Sequence, residues 1–551
     1  MKAYLTEKLN AALSSLSYTG IQPIFEQPKL EQHGDLTTNV AMVLAKKAGK
    51  NPRAIAQEIV NALKLDEDSV AKVEIAGPGF INFHFSGAFF VRGLKGILKQ
   101  GEDFGRTDGG RGIRTQVEFV SANPTGPLSV GHGRQAAIGD TIATLLEWTG
   151  HAVTREYYYN NAGRQMRKLA ESTYARYRQL FDPSFPFPED GYQGEYIRDI
   201  AERLKSTRGD TLLTVPEEEA FQVCKEVAET TLFENIRAVL ARMGVRFDVF
   251  FNEDSLYTSG ALQEVISELR AKGLVYDHDG AVWFKATAMG LEQDRVMIKS
   301  TGEPTYRLPD IAYHREKFRR GFGLIVDIFG ADHIATIPDV LAGIEALGYD
   351  KSRVKVVIHQ FVTLLRDGQQ VKMSKRQANF VTLEELIDEV GPDAVRFFFV
   401  MRSISSHLEF DLNLAREQTE KNPVYYLQYA HARIASILRF AESEGVLPAG
   451  EQQAFADANV DLLKGEAEIG LAKLLLSFPD VVVSCSTSFE PHRLTTYLGN
   501  VATAFHKFYH DHRVVVPERE LSRARLALCR GTQIVLANGL KILGISAPER
   551  M

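Results

Sequence analysis

The pattern of apolar and polar positions predicts a small α+β unit at the start of the chain. The first residues show helical periodicity, HGDLTTNV leads into a helix that ends near Gly49, and residues 53–64 predict a further helix. The stretch VEIAGPGFINFHF then alternates in the manner of β-strands around a Gly-Pro-Gly turn. Segment 101–112 is rich in glycine and charge, so we place the first linker there.

A strand, a turn-rich loop and a long helix follow. QVEFV (116–120) predicts the strand, SANPTGPLS (121–129) the loop, and residues 130–148 the helix. This order is typical of the opening of a nucleotide-binding α/β fold. HAVTREYYY predicts a second strand. Residues 164–250 are largely helical with a proline-rich break, which predicts an insertion between two halves of a sheet.

Strand and helix patterns alternate again between residues 281 and 360. The predicted strands are AVWFKA, RVMIKS, TYRL, GLIVDIF and VKVVIH, with one helix from Asp310 and another near 338–347. FVTLLRDGQQVKM predicts a hairpin with an Asp-Gly turn. A Thr-x-x-Glu capping box starts the helix TLEELIDEV.

Almost every segment from about residue 415 to the end is amphipathic and helical. We therefore predict an α/β protein with a Rossmann-like parallel sheet and a helical insertion, an N-terminal α+β domain and a C-terminal all-α bundle. The predicted domains are 1–110, 111–380 with the insertion at about 164–250, a connecting stem at 381–415, and 416–551.

Composition indicates a folded protein of several domains. The 551 residues are 44% hydrophobic and 24% charged, and 64 Lys+Arg against 70 Asp+Glu give a net charge of −6. This charge excludes a uniformly basic nucleic-acid coat but leaves room for a local basic surface. Cys224, Cys485 and Cys529 form no CxxC or Cys/His cluster, so we expect neither disulfides nor zinc, and a cytoplasmic setting. Neither a signal core nor a membrane span is expected.

Two short motifs have the residue types of a nucleotide site. Gly131 and His132 stand at a predicted helix start, where free N–H groups and the helix dipole favour phosphate. Lys372 and Lys375 lie three apart after a predicted hairpin, and they suit a clamp that stabilises a departing pyrophosphate. Taken singly, the first motif is most often a turn with a surface histidine, and the second is most often solvated charge. Neither a P-loop nor a GxGxxG follows a strand here.

Together these motifs resemble those of class I aminoacyl-tRNA synthetases, specifically the bacterial arginyl-tRNA synthetase family. VEFVSANPTGPLSVGHGRQAAIGD resembles that family's first signature and VKMSKRQANFVTLEELIDEVGPDAVRFFF its second. HGDLTTNVAM, TYRLPDIAYH and NPVYYLQYAHARI resemble three further family stretches. The resemblance covers essentially the whole chain. It implies an N-terminal domain that binds the tRNA elbow, a central catalytic domain and a helical anticodon-binding domain.

The resemblance implies an ATP site formed by both signatures. His132, Lys372 and Lys375 would be catalytic. The family's first signature contains a His-x-Gly-His motif, and Ser129 stands here in the place of its first histidine. A serine is shorter and carries no positive charge, but it still donates a hydrogen bond. The implied ATP-binding residues are Ser129, Gly131, His132, His333, Met373 and Ser374.

The resemblance also implies an arginine pocket, and charge supports it because a guanidinium needs carboxylate partners in a partly dry site. Asp310 directly after Pro309 is also typical of a helix N-cap. Both the capping role and the arginine-binding role therefore stay open for Asp310. Glu118 lies on a predicted buried strand, where an unpaired carboxylate is costly, which favours function. The implied arginine-binding residues are Glu118, Asn123, Glu253, Tyr306 and Asp310.

The implied tRNA contacts lie at the two ends of the chain. Asn39 matches an N-terminal position, although helix capping or loop packing explains it equally well. Tyr426, Tyr429 and Met551 match positions near the anticodon, where aromatic stacking reads unpaired bases, although a tyrosine pair on a helix is more often core. A possible phosphate face on the last helix comprises Arg523, Arg525 and Arg530.

The implied activity is arginine–tRNA ligation with ATP, with Mg²⁺ on the phosphates and no zinc. The expected partners are tRNA(Arg), ATP and L-arginine, with no membrane, and the expected state is a monomer. Two alternatives stay open. One is a nucleotidyl transferase that activates another small acid, and the other is a catalytically inactive tRNA-binding paralogue with a regulatory role, which Ser129 motivates.

Overall fold

The N-terminal region forms an antiparallel sheet covered by helices. The computed structural model describes residues 1–28, 30–371, 381–448, 455 and 457–551. The sheet has the strand order β1-β2-β4-β3, and Leu36, Ile81 and Phe83 are buried in the core. Its elements are α1 Lys2–Ser15, β1 Phe25–Glu26, β2 Leu36–Thr38, α2 Val40–Ala48, α3 Pro52–Ala62, β3 Val70–Ala76, β4 Phe80–Phe85 and α4 Gly87–Gln100.

A parallel sheet of five strands forms the centre of the molecule. Its elements begin with β5 Arg114–Glu118, α5 Val130–Trp148, β6 Ala152–Tyr159, α6 Gly163–Gln179, α7 Glu195–Arg208, α8 Glu217–Arg242 and β7 Val249–Asn252. They continue with α9 Asp254–Thr258, α10 Ala261–Ala271, β8 Val275–His278, β9 Ala281–Phe284, β10 Arg295–Ile298, α11 Arg307–Arg319, β11 Leu324–Gly330, α12 Ile337–Leu347 and β12 Val354–His359.

The strand order is β12-β11-β5-β6-β7, and every pairing is parallel. The chain runs outward from β5 through β6 to β7 and then returns to the other side of β5. The order therefore reverses between β5 and β11, and ligands of such sheets bind outside the carboxyl ends of the strands at this point. Helices α6 to α8 pack on one another as the predicted insertion, while β8, β9 and β10 form a separate small antiparallel sheet.

Two local predictions in this region are wrong. The strand β5 ends at Glu118 rather than Val120 because Val120 and Ser121 have φ values of +69° and +42°, which no regular strand contains. The stretch TYRL is not a strand. It enters helix α11, which begins at Arg307, so Asp310 lies in the first turn and Tyr306 is at the N-cap position.

A hairpin follows the central sheet, and a stem connects it to the helical region. The hairpin strands are β13 Val362–Arg366 and β14 Gln369–Gln370, and the stem holds α13 Leu383–Val390, α14 Pro392–Val400, β15 Leu408–Asp411 and α15 Leu412–Arg416. Asp367 and Gly368 have φ values of +53° and +72°, as a tight hairpin turn with an Asp-Gly pair requires. The predicted capping box is confirmed, with Thr382 accepting from the Glu385 N–H and Glu385 accepting from the Thr382 N–H.

The C-terminal region is helical in its described residues. Its helices are α16 Pro423–Ser443, α17 Glu466–Leu476, α18 Phe478–Ser488, α19 His492–Asp511 and α20 Arg519–Leu543. Helices α17 and α20 pack against α4, so this bundle also supports the N-terminal region. The predicted fold class is confirmed: a parallel α/β sheet with a helical insertion lies between an α+β unit and a helical bundle.

One stretch, Glu466–Ser488, has the length and apolarity of a membrane-crossing helix. In the structure it is two helices, and 44% of its apolar window is buried inside the bundle. Glu468 within it is buried and pairs with Arg525 at 2.8 Å. These features are those of a core segment of the bundle.

Candidate active site

A cavity of about 830 Å³ opens at the carboxyl ends of the central strands, where the strand order reverses. It is bounded by the ends of β5, β11 and β12 and by the start of α5. The structure brings together in its lining most of the residues predicted for arginine and ATP. These are Glu118, Asn123, Ser129, Gly131, His132, Glu253, Tyr306, Asp310 and His333.

The start of helix α5 holds the first-signature residues. Ser129 is the N-cap, and it forms a capping box with His132 at the third helical position. The Ser129 backbone N–H donates to His132 Nδ1 at 3.1 Å, so a neutral His132 carries its proton on Nε2. At Gly131 an added Cβ would meet Ser129 Oγ at 3.7 Å, an ordinary contact, so the helix start is open to the cavity. The serine in the first-histidine position therefore caps the helix and orients the histidine that is present.

Arg134, one turn further along α5, fixes this helix start to its surroundings. Its side chain is buried and donates to the backbone carbonyl oxygens of Gln360, Ser403 and Ser406 at 2.7 to 3.1 Å. Burial lowers the pKa of Arg134 to about 10. These bonds connect the helix, the segment that enters the β13–β14 hairpin, and the stem.

The arginine end of the cavity contains a buried network of charges. Lys317 Nζ lies 2.6 Å from Glu118 Oε2 and 2.6 Å from Asp327 Oδ1. The second Asp327 oxygen faces His314 Nε2 at 2.9 Å, and the second Glu118 oxygen accepts from the Ser121 hydroxyl at 3.0 Å. Glu118 is therefore buried as a paired carboxylate, with its charge compensated by Lys317.

The helical spacing of three residues in the sequence is a signal for this network. Asp310, His314 and Lys317 are spaced four and three residues apart, so they share one face of α11. That face is turned toward the cavity and the sheet. A lysine in register with a candidate substrate acid on a helix over a sheet could have been proposed as its partner.

Asp310 is the acid of this cluster without a protein partner. Within the described residues its carboxylate accepts no hydrogen bond, while Glu118 and Glu253 stand close enough to repel it. Burial, reinforced by Glu118 and Glu253, raises the pKa of Asp310 to about 7. The N-cap interpretation of Asp310 is wrong, since the helix begins one turn earlier. A half-buried carboxylate that has no partner among the described residues is suited to a cationic ligand.

Glu253 and Tyr306 complete the arginine end. Tyr158 and Tyr257 donate their hydroxyls to Glu253 at 2.6 and 3.2 Å, and burial together with Glu253 raises the pKa of Tyr158 well above its ordinary value. Tyr306 is 88% exposed at the cavity wall, so its ring is available to a ligand. Asn123 accepts from the Asn160 N–H at 2.9 Å, which fixes its side chain in the lining.

The nucleotide end of the cavity is more exposed. His333 lies on a turn after β11 and stacks on Phe329 with ring centres 5.4 Å apart. Phe361 and His359, which the sequence analysis missed, also line this end, and Phe361 is 63% exposed. The predicted residues Lys372, Met373, Ser374 and Lys375 lie outside the described residues.

A second cleft, of about 770 Å³, lies in the helical bundle at the far end of the chain. Tyr429 and Met551 line it, but Tyr426 does not, because its ring packs on His506 at 5.0 Å and its hydroxyl faces Thr503 at 3.4 Å. The basic residues of the lining were missed by the sequence analysis. They are Arg433, Arg439, His510, His512, Arg513 and Arg550.

The remaining predicted tRNA residues differ in their surroundings. Asn39 is exposed before α2 and its side chain makes no cap hydrogen bond, so the capping alternative is wrong. Arg525 pairs with the buried Glu468, and Arg530 is partly buried and donates to Gln533. The proposed phosphate face on α20 is therefore wrong for these two arginines. Arg523 lies near Glu520 at 3.5 Å.

A parallel sheet with this switch-point cavity, a Gly-His helix start and a separate helical domain defines a class I aminoacyl-tRNA synthetase. The profile described as "tRNA synthetases class I (R), catalytic domain" matches residues 94–399. The profile "Arginyl tRNA synthetase N terminal domain" matches 3–85, and "DALR anticodon binding domain" matches 427–551. The chain belongs to the arginyl-tRNA synthetase family.

Curated relatives are similar in sequence over nearly the full length of this chain. The chain is 54% identical to the arginine–tRNA ligase of Desulfotalea psychrophila, over 96% of this chain and 94% of the relative. It is 48% identical to that of Salinibacter ruber, over all of both chains. The arginyl-tRNA synthetase of Thermus thermophilus has the same fold, with a TM-score of 0.76, 24% identity and complete coverage of both chains.

Proposed function

We propose that this protein is an arginine–tRNA ligase that activates L-arginine with ATP and transfers it to the 3′ end of tRNA(Arg). The observation that carries the proposal is the Asp310 carboxylate, which has no partner among the described residues and lies in an acidic cavity whose other end is the open start of helix α5. One end suits a guanidinium and the other suits phosphates. Family membership supports the same reaction.

In the first step the arginine carboxylate attacks the α-phosphorus of ATP. The bond to the bridging oxygen breaks, pyrophosphate leaves, and arginyl-adenylate forms. His132 donates from Nε2 to phosphate oxygens, and the free N–H groups of α5 stabilise the charge that develops there. Lys372 and Lys375 would stabilise the departing pyrophosphate. Mg²⁺ belongs to this proposal as the companion of the ATP phosphates.

The arginine side chain is bound at the opposite end. Asp310 and Glu253 accept hydrogen bonds from the guanidinium, and Tyr306 lies along it. Asn123 binds the α-amino or carboxyl group of the amino acid. In the second step a hydroxyl of the tRNA 3′-terminal ribose attacks the adenylate carbonyl and AMP leaves, so no covalent enzyme intermediate is required. Catalysis arises from positioning and electrostatic stabilisation.

The second cleft is proposed to bind the anticodon loop. Tyr429 stacks on Tyr425 with ring centres 6.3 Å apart, and Arg433 donates to the Tyr429 hydroxyl at 3.0 Å. Exposed aromatic rings beside arginines bind unpaired bases and their phosphates. Asn39 is proposed to touch the tRNA elbow. Tyr426 would act by holding α16 against α19 rather than by contacting RNA.

The test is arginine-dependent exchange of pyrophosphate into ATP, with and without tRNA(Arg). We expect exchange that requires the tRNA, followed by arginylation of its 3′ end. Exchange without tRNA would support the ligase but contradict a coupling between tRNA binding at the helical bundle and activation at the catalytic cavity. Absence of exchange in both conditions, with tRNA still bound, would favour the regulatory paralogue. The capping role of Ser129 weakens that alternative, since the serine orients His132.

The enzyme is further proposed to be a monomer that acts in the cytoplasm away from membranes and without zinc. Sedimentation equilibrium of the protein alone and with tRNA(Arg) tests the first point. Metal analysis of the purified protein tests the last.

A further inference from the structure

Lys317 is a fully buried cation of the catalytic region, and the reaction steps described above do not use it. Its side chain is 0% exposed, and its ammonium lies between the carboxylates of Glu118 and Asp327. Burial alone would lower the pKa of Lys317, but Asp327 and Glu118 raise it above its ordinary value. The lysine therefore stays charged at neutral pH.

We propose that Lys317 is a positioning residue of the arginine pocket, whose ammonium holds one oxygen of Glu118 so that the other side of this carboxylate faces the substrate guanidinium. This proposal rests on the proposed function. Glu118 has two anchors: Lys317 at Oε2 and the Ser121 hydroxyl at Oε1. Ser121 is itself fixed, because its oxygen accepts the Tyr158 N–H at 3.2 Å.

The charge of the pocket supports this role. Glu118, Glu253, Asp310 and Asp327 all line the cavity, and an arginine side chain brings one positive charge. Lys317 compensates part of the negative charge of Glu118 and Asp327 within the protein, so Glu118 can face the guanidinium alongside Asp310 and Glu253 without adding a full uncompensated charge. Without the lysine the guanidinium would face an excess of mutually repelling carboxylates, and protonation or rotation of Glu118 would follow.

A second buried ion pair provides a matched control. Arg320 donates two hydrogen bonds to the fully buried Glu156, at 2.6 and 2.8 Å, and both residues lie outside the cavity lining. Arg320→Met leaves the buried carboxylate of Glu156 without its cation, and Lys317→Met leaves those of Glu118 and Asp327 without theirs. Both variants therefore strand buried acid, and they differ in whether that acid lines the cavity.

The experiment measures KM for arginine and for ATP, kcat and thermal stability in Lys317→Met, Arg320→Met and Lys317→Met/Asp327→Asn. We expect the KM for arginine to rise at least tenfold in Lys317→Met while the KM for ATP stays within twofold, since a hydrogen bond to a charged group is worth about that factor or more. Arg320→Met should lose thermal stability and keep its KM for arginine within twofold.

The double variant keeps the test decisive if Lys317→Met fails to fold. It removes one acid together with the cation, so it should recover stability, yet its KM for arginine should stay raised because Glu118 has lost an anchor. A KM near the wild-type value in the double variant, or an equal rise in Arg320→Met, would overturn the positioning role. Absence of arginine-dependent exchange in the wild type would instead overturn the proposed function.

Discussion

The two clefts of this molecule hold their charged groups in opposite ways. In the catalytic cavity the charged groups are largely enclosed, with Lys317 paired to Glu118 and Asp327 and with the Asp310 carboxylate accepting no hydrogen bond from the described residues. In the cleft of the helical bundle Arg433, Arg513 and Arg550 are exposed and Arg439 is half-buried, and Arg433 lies 5.0 Å over the Tyr509 ring. A small cationic ligand requires fixed, dry partners, whereas a flexible polyanion requires mobile cations near water. The difference predicts distinct responses to pH and salt.

Asp310→Asn should produce the largest effect. The variant keeps the shape of the side chain and removes the charge that faces the guanidinium. Loss of one partner of a buried charge pair costs about 3 kcal/mol, or roughly 100-fold in kcat/KM for arginine. Steady-state kinetics with varied arginine at saturating ATP and tRNA measure it. Glu292→Gln, an exposed acid outside the cavity lining, should leave kcat/KM unchanged.

The pH dependence of arginine binding should show the next largest effect. The pKa of Asp310 is about 7 in the empty site, so arginine must bind the minority ionised form below that pH. We expect kcat/KM for arginine to be about tenfold lower at pH 6 than at pH 8. In Asp310→Asn this fall of kcat/KM between pH 8 and pH 6 should be absent. A fall of equal size in that variant would assign the titration to another group.

The same carboxyl group should change stability in the opposite direction. The pKa of Asp310 in the folded protein is about 7, above its ordinary 3.8. The contribution of this group to the free energy of unfolding is therefore fully present below about pH 4 and is lost as the pH rises through 7. Urea unfolding should therefore show wild type less stable than Asp310→Asn above pH 7, and the difference should vanish near pH 4.

Arg433→Gln should have an intermediate effect, confined to tRNA. Removing one phosphate-facing cation should weaken tRNA affinity about tenfold at low salt and reduce the slope of log Kd against log salt by about one. Filter binding from low to moderate salt measures both. Arg208→Gln, an exposed arginine of the insertion, is the matched control. An unchanged salt slope would remove Arg433 from the RNA interface.

Ser129→Ala should have the smallest effect. Loss of the N-cap should cost about 1 kcal/mol of folding free energy. It should also raise the KM for ATP about threefold, since His132 loses the Ser129 hydroxyl, 3.2 Å from its Nδ1. Ser129→Thr retains the capping oxygen and should retain both properties. A KM for ATP that is unchanged in Ser129→Ala would mean that the backbone N–H alone orients His132.

Sequence patterns predicted the architecture well because long periodic segments encode it. The parallel strands, the helical insertion and the Asp-Gly hairpin all follow from local signals. The wrong predictions fall where tertiary contacts override a local pattern. TYRL alternates like a strand, but its Leu308 and the Pro309 that follows it are buried in the first turn of a helix. Val120 is β-branched, yet it has a φ of +69° where it lines the cavity.

The site was predictable at the level of ligand classes and less so at the level of contacts. Family motifs gave Glu118, Asp310 and His132, and all three line one cavity. They did not include Lys317, which lies beyond the stretch TYRLPDIAYH, and only its helical spacing from Asp310 and His314 pointed to it. Helix periodicity placed Tyr426 and Tyr429 on one face, but only packing against His506 separates their roles.

The buried Arg134 limits how modular this enzyme is. Its guanidinium bonds to carbonyl groups from the hairpin entrance and from the stem, segments more than 220 residues away in the chain. Separating the stem and bundle from the sheet would leave this cation buried or stranded without acceptors. Chimaeras that join the catalytic part of one relative to the stem of another must therefore preserve the backbone path of both segments, not only the sequence of the joint.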